Sequence, residues 1–159
     1  MINQDYKRLI HSFLSDRSLR FEVVEAESRC RFHFGFKGFD GAFDPLKMLL
    51  ALDEDVIQVF VYLPVSAEKN ETEMACLVAM LNYGLKLGKF ELNIDDGSVR
   101  YQFGQNVNIL SAGAARDALE AMIYQSPLFV DKFSKILEDV ALGRKLAKDV
   151  AHELKKMQQ

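Results

Sequence analysis

Apolar positions recur along this chain with two periods, and each change of period marks the border of an element. Tyr6, Leu9, Ile10, Phe13 and Leu14 fall on one face of a helix. Asn3 precedes it as a capping residue, and Asp5 sits in its first turn, where a carboxylate suits the helix dipole. From Leu19 the period drops to two. Phe21 and Val23 share a strand face, while Phe32, Phe34 and Phe36 share a face of the next strand, with Arg31, His33 and Lys37 opposite. Residues 26–29 read as the turn between them, and the glycine-rich run from Gly35 to Pro45 as tight turns.

Residues 45–52 carry two patterns. Asp44-Pro45 fits the start of a helix, whereas Leu46, Met48 and Leu50 alternate as a strand does. The alternation favours a strand, with Asp53, Glu54 and Asp55 as a hairpin turn. Val56 to Leu63 then reads as a strand that is apolar on both faces and is stopped by Pro64. Residues 68–87 predict a long helix buried through Met74, Leu77, Val78, Leu81 and Leu85, with Gly88 as the residue of positive φ that ends it.

A hairpin follows. With Asp96-Gly97 as a two-residue type I′ turn, Ile94 faces Val99, Leu92 faces Tyr101, and Phe90 faces Phe103. All six lie on one face, with Glu91, Asn93, Arg100 and Gln102 on the other; a slip of one residue would scramble this division. Beyond Val107 the helical period returns. Ser111 is a capping residue, Ser126-Pro127 predicts a fresh helix start, and Gly143 ends or bends the helix that follows. In the tail, Leu146, Val150 and Leu154 form a narrow apolar seam.

This order predicts an α+β fold, an antiparallel sheet of meander plus hairpin flanked by helices, with extended C-terminal helices. One domain spans residues 1–142, and residues 143–159 extend it as a basic amphipathic helix. Composition agrees: 159 residues, 49% apolar and 27% charged, suit one domain with its own core. The longest apolar run, Met48 to Leu52, is too short for a bilayer, so no membrane contact is expected. No secretory h-region is visible near the N-terminus. Cys30 and Cys76 form no CxxC pair and fit two buried free thiols in a reducing cytoplasm.

Net charge is −3, but the tail after Gly143 is positive, leaving a more acidic body. An acidic body argues against duplex binding, so no nucleic-acid partner is expected. Cys30 and His33 are close in sequence, yet three positions apart on a strand they point to opposite faces, and two ligands fall short of a zinc site. The carboxylates Asp53, Glu54 and Asp55, and separately Asp95 and Asp96, match no calcium loop and read as turn chemistry. Gly35, Gly38 and Gly41 lack the strand–turn–helix setting of a phosphate loop. No GxSxG, HExxH or Walker sequence occurs. No catalytic residue, cofactor or metal is expected.

Two features remain. Asn82 lies inside a helix, where its amide either ties the helix to a nearby strand edge or recognises a ligand; satisfaction by backbone is the favoured reading. Phe60 and Tyr62 share the second apolar face of their strand, and either the tail helix or another chain must cover them. Phe60 and Tyr62, together with the Leu146–Val150–Leu154 seam, are therefore the candidate dimer or partner surface.

Asn82, the run GKFELNIDDGSVRYQF from Gly88, residues 38–41 and Pro64 together resemble the YbjN-like family of bacterial proteins, over roughly Phe21 to Val140. Asn82, Gly88, Asp96 and Gly97 are the structural positions of that motif. The resemblance implies a type III secretion chaperone-like fold, commonly a homodimer, and a cytoplasmic, non-enzymatic binding or regulatory role. The basic C-terminal helix departs from the compact secretion chaperones. The expected function is a non-catalytic protein-binding module, chaperone-like or regulatory, whose partner the sequence does not name. The alternatives are a small-molecule-binding domain or enzyme with a pocket between helix and sheet, using His33, Asn82 or Arg100, and a structural subunit of a larger assembly.

Overall fold

A computed structural model of the chain describes residues 3–54, 56–108 and 110–158. Its elements run α1 (Gln4–Asp16), β1 (Phe21–Ala26), β2 (Arg29–Phe36), β3 (Leu46–Asp53), β4 (Val56–Ser66), α2 (Glu71–Gly84), β5 (Lys89–Leu92), β6 (Ser98–Asn106), α3 (Ala112–Ala141) and α4 (Ala147–Gln158). The six strands form one sheet in the order β1-β2-β3-β4-β6-β5, and every neighbouring pair is antiparallel. This is the α+β architecture that the periods predict. Residues 46–53 are strand, which settles the ambiguous segment. The turn expected at Asp53–Asp55 includes Asp55, which lies outside the described residues.

Alternation along each strand divides the sheet into two faces. Phe32, Leu50 and Val59 stand in one cross-strand row, and Phe34, Met48, Val61 and Tyr101 in another; all are buried. The long helix α3 packs over β4 and β6 and presses Leu119, Ile123, Val130, Phe133 and Leu137 into the same core. Helix α1 leans on α3, capped by the Asn3 carboxamide oxygen, which accepts from the Asp5 and Tyr6 amides. Helix α2 packs against β5 and α3, and α4 packs against α2. The division into faces is what lets one helical layer bury the core, since each fully buried large side chain contributes about 1.5–3 kcal/mol.

Several sequence expectations are corrected. The hairpin pairs Leu92 with Val99 and Phe90 with Tyr101, not Leu92 with Tyr101 and Phe90 with Phe103. Asp96-Gly97 is not a two-residue turn, because the loop spans Ile94–Gly97. There the Asn93 side chain accepts from the Asp95 amide at 3.0 Å and the Asp96 side chain accepts from the Ser98 amide at 2.8 Å. The Gly97 amide donates to the Asn93 carbonyl at 2.8 Å. These Asx hydrogen bonds offer the backbone a wider turn. The slip is of two residues, so every side chain keeps its face, while Ile94 moves into the loop and is 72% exposed. Gly97 has φ +68°, and a Cβ there would collide with the Glu68 backbone, so the hairpin tip and the start of α2 both require glycine.

Helix α2 is shorter than the pattern suggests and ends at Gly84, with Leu85 extended, so Gly88 is not its C′ residue. Gly88 has positive φ for another reason: a Cβ would strike the Tyr101 hydroxyl, which donates to the Leu87 carbonyl at 2.9 Å. Strand β4 runs through Pro64 to Ser66. A register shift against β6 between Tyr62 and Ser66 frees Pro64 from the ladder amide it lacks. Ser126-Pro127 does not restart a helix: α3 is continuous over 30 residues with Pro127 inside. A mid-helix proline costs about 3 kcal/mol, and the unbroken apolar stripe that α3 lays on the sheet outweighs it. In α4 the buried residues are Ala147, Val150 and Leu154, whereas Leu146 lies before the helix and is 41% exposed.

Asn82 does what its backbone reading requires. Its Nδ2 donates to the Phe90 carbonyl at 2.9 Å and its Oδ1 accepts from the Phe90 amide at 2.8 Å, so one side chain serves both ladder groups on the free edge of β5. Asn82→Ala is expected to lower stability by about 1–3 kcal/mol, read as a lower urea midpoint at unchanged slope. An unchanged midpoint would refute this role. Gly97→Ala should destabilise by more than about 1 kcal/mol, because αL strain and the collision add. Gly113→Ala, with open space around it in α3, should instead gain up to about 1 kcal/mol in the same assay.

Candidate functional site

All the packed helices lie on one side, so the opposite face of the sheet meets solvent. Register places Glu22, His33, Leu49, Phe60, Gln102 and Lys89 in one row across it. The next row holds Gly35, Lys47, Tyr62, Arg100 and Glu91. Phe60 and Tyr62 are half-buried, with ring centroids 6.5 Å apart. The central strand therefore offers an aromatic pair to solvent with no helix above it.

Arg100 organises this pair. Its guanidinium lies 4.4 Å from the Phe60 ring centroid, a cation–π contact, and its Nε donates to Glu91 at 2.7 Å. Glu91 also accepts from Lys89 at 2.8 Å. Burial alone would raise the Glu91 pKa, but the hydrogen bonds from Lys89 and Arg100 outweigh it and hold the carboxyl below its usual range. Burial likewise opposes the charge on Arg100, and hydrogen bonds to Glu91 and Tyr62 more than restore it. Beside this cluster, near the register shift of β4, is a cavity of about 380 Å³ lined by Tyr62, Glu91, Leu92, Asn93, Ser98 and Arg100. The arrangement can hold a side chain or a small polar group by contact and charge, because its cation is already paired and oriented.

The other expected site residues are dispersed. Val150 and Leu154 are buried against α2 of the same chain, so the tail seam is spent inside the molecule, and Leu146 is not part of it. His33 and Arg100 stand on the open face, while Asn82 is committed to β5 on the helical side, so the three do not converge. Cys30 is buried and His33 exposed, as strand alternation requires. Among the described residues, no three His, Cys, Asp or Glu side chains are grouped to hold a metal ion. No helix among them is long and apolar enough to cross a membrane.

Sequence reasoning overlooked the outer side of α2. Cys76, expected to be buried, is exposed there with Ala79 and Tyr83, Tyr83 by 96%, and a groove of about 540 Å³ runs between α2 and α4, lined by Met80, Ala151 and Lys155 among others. The signal was present: from Met74 to Gly84 the helix carries no charged residue, so it is uncharged all round and not only on its core side.

The fold is similar to the crystal structure of YbjN from E. coli, described as a candidate transcription regulator, with a TM-score of 0.56 and 16% sequence identity over 84% of this chain and 90% of that one. No family model matches the chain, and no curated protein matches it in sequence. The resemblance read from the sequence is thus supported as a likeness of fold.

Because Glu91 is held below its ordinary 4.5, its contribution is complete above that value and is lost as pH falls through the lower folded-state pKa. Acid titration from about pH 7 to about pH 3 should therefore show an acid loss of stability that shrinks in Glu91→Gln. Superimposable profiles for the two proteins would contradict the Lys89–Glu91–Arg100 assignment.

Proposed function

We propose that this chain is a non-catalytic protein-binding module, chaperone-like or regulatory, acting in the cytoplasm as a homodimer. The observation that carries the reading is the open sheet face, where the half-buried Phe60 and Tyr62 form an aromatic centre with no helix above it, beside the already buried Leu49. Uncovered apolar patches of this kind mark interaction sites. Polar side chains among the candidates are occupied elsewhere: Asp96 in the hairpin loop, Asp53 with Arg29, Asn82 with Phe90. The regulatory branch also draws support from the description of YbjN.

The homodimer uses a different surface. The outer side of α2 presents Cys76, Ala79 and Tyr83 without a charge of its own, with Lys155 of α4 lining the same groove, and two copies meet there through the uncharged helix. Small residues such as Ala79 allow close approach around Tyr83. A second reading, a small-molecule site, is favoured by the 380 Å³ cavity, which is within the range of ligand pockets. That cavity sits at the rim of the open face rather than between helix and sheet.

A photo-crosslinking residue at position 60 in living cells should yield protein adducts, and one at position 128, exposed on α3, should not. Equal yields from the two positions, or none from position 60, would overturn the binding reading. Light scattering at micromolar concentration should give twice the chain mass, falling to one chain in Ala79→Glu with Tyr83→Glu. A monomeric wild type would remove the homodimer.

A further inference from the structure

The chain is acidic, with net charge −3, but its open sheet face is cationic. Arg29, Arg31, Lys47, Lys89 and Arg100 stand there against Glu22, Asp53 and Glu91. Asp53 is committed to Arg29 at 3.2 Å, and Glu91 is shared by Lys89 and Arg100. Arg31 and Lys47 have no hydrogen bond or ion pair among the described residues, and both are exposed. Register sets them on either side of the Leu49–Phe60 row: Arg31 pairs with Ala51, and Lys47 pairs with Tyr62. Ala51 and Lys47 are four positions apart on β3, about 13 Å along the strand.

We propose that this face takes an acidic segment of a partner protein. Its carboxylates reach Arg31 and Lys47, an apolar or aromatic side chain between them packs on the half-buried Phe60, and a neighbouring side chain enters the cavity beside Tyr62 and Arg100. The proposal rests on the reading that the open face binds protein, and it adds the partner's chemistry. Charge complementarity chooses the partner and speeds encounter, while the aromatic anchor supplies most of the affinity. A single-stranded nucleic acid would also find cations and rings here, but Arg29, Lys89 and Arg100 are already paired with carboxylates, and Arg31 and Lys47 alone are too few to track a phosphate backbone.

The test selects a random-peptide display library on the full wild-type chain and on the double variant Arg31→Glu, Lys47→Glu. Both substitutions are at exposed positions, and circular dichroism checks that the fold is retained. Wild type should select peptides in which Asp or Glu flank an aromatic or aliphatic residue. Their affinity should fall about tenfold or more on the double reversal and fall with added salt, and the reversed face should select basic peptides instead. Peptides without acidic bias, lost on Phe60→Glu but indifferent to the reversal, would overturn the acidic assignment while leaving the face as a protein site. Binding of oligo(dT) that disappears on the reversal, with no peptide selected, would overturn both readings. Peptides that bind equally to wild type, the reversal and Phe60→Glu would overturn both as well.

Discussion

The packing of α3 across β4 and β6 decides which half of every strand is buried. Ile57, Val59 and Val61 on β4 and Val99 and Tyr101 on β6 turn towards it, and the antiparallel registers carry that choice outwards to β2 and β3. Because side chains alternate with period two, no strand can change face without every neighbour changing with it. The helix keeps its contact by remaining unbroken through Pro127, although the buried Ser126 hydroxyl has no hydrogen-bond partner among the described residues. Its length of 30 residues is thus a consequence of the surface it has to cover.

The remaining elements are fastened to this two-layer body by a few directed contacts. Asn82 joins α2 to the edge strand β5, and the Gly97 carbonyl accepts from the Ala67 amide at 2.8 Å, drawing the hairpin tip to the start of α2. Helix α4 is held at both ends. The Ala147 amide donates to Glu73 at 2.7 Å, and the Gln158 side chain donates to the Leu81 carbonyl at 3.1 Å, one of the last carbonyls of α2 that lack an intrahelical donor. At the α3–α4 junction the nearly buried Asp139 is paired with Lys135 at 3.0 Å and Lys145 at 3.3 Å. Hydrogen bonds from Lys135 lead the contributions that hold its carboxyl below the usual range, against the opposing effect of burial. The basic tail, read alone, looks like a free solvated helix; its cations nearest the junction neutralise a carboxylate of the same chain.

One-sided cover also accounts for the distribution of candidate function. The sheet has a single helical layer, so its second face is left with an aromatic pair, a cavity and cations. The paired Lys89–Glu91–Arg100 cluster keeps Arg100 over Phe60 without leaving an unpaired buried charge. The outer side of α2 and the open sheet face share no residues, so the two contacts proposed for them would not compete.

The elements and their faces were legible in the chain because alternation and helical period are local properties. Phe32 and Phe34 pointing inward, Ile57, Val59, Val61 and Leu63 sharing the buried face of β4, and the Asn3 cap could all be read from neighbours in sequence. Phe60 and Tyr62 were also identifiable as a second apolar face needing cover, but not whether the tail helix supplied it. Whatever depended on distant partners was not legible. Side-chain hydrogen bonds from Asn93 and Asp96 widened the hairpin turn, a burial surface larger than any local signal carried α3 past Pro127, and α2 buried Val150 and Leu154. The sequence by itself determined which residues share a face. Only the tertiary structure decided which face stays open and which cations surround it, because covering a face depends on residues far apart along the chain.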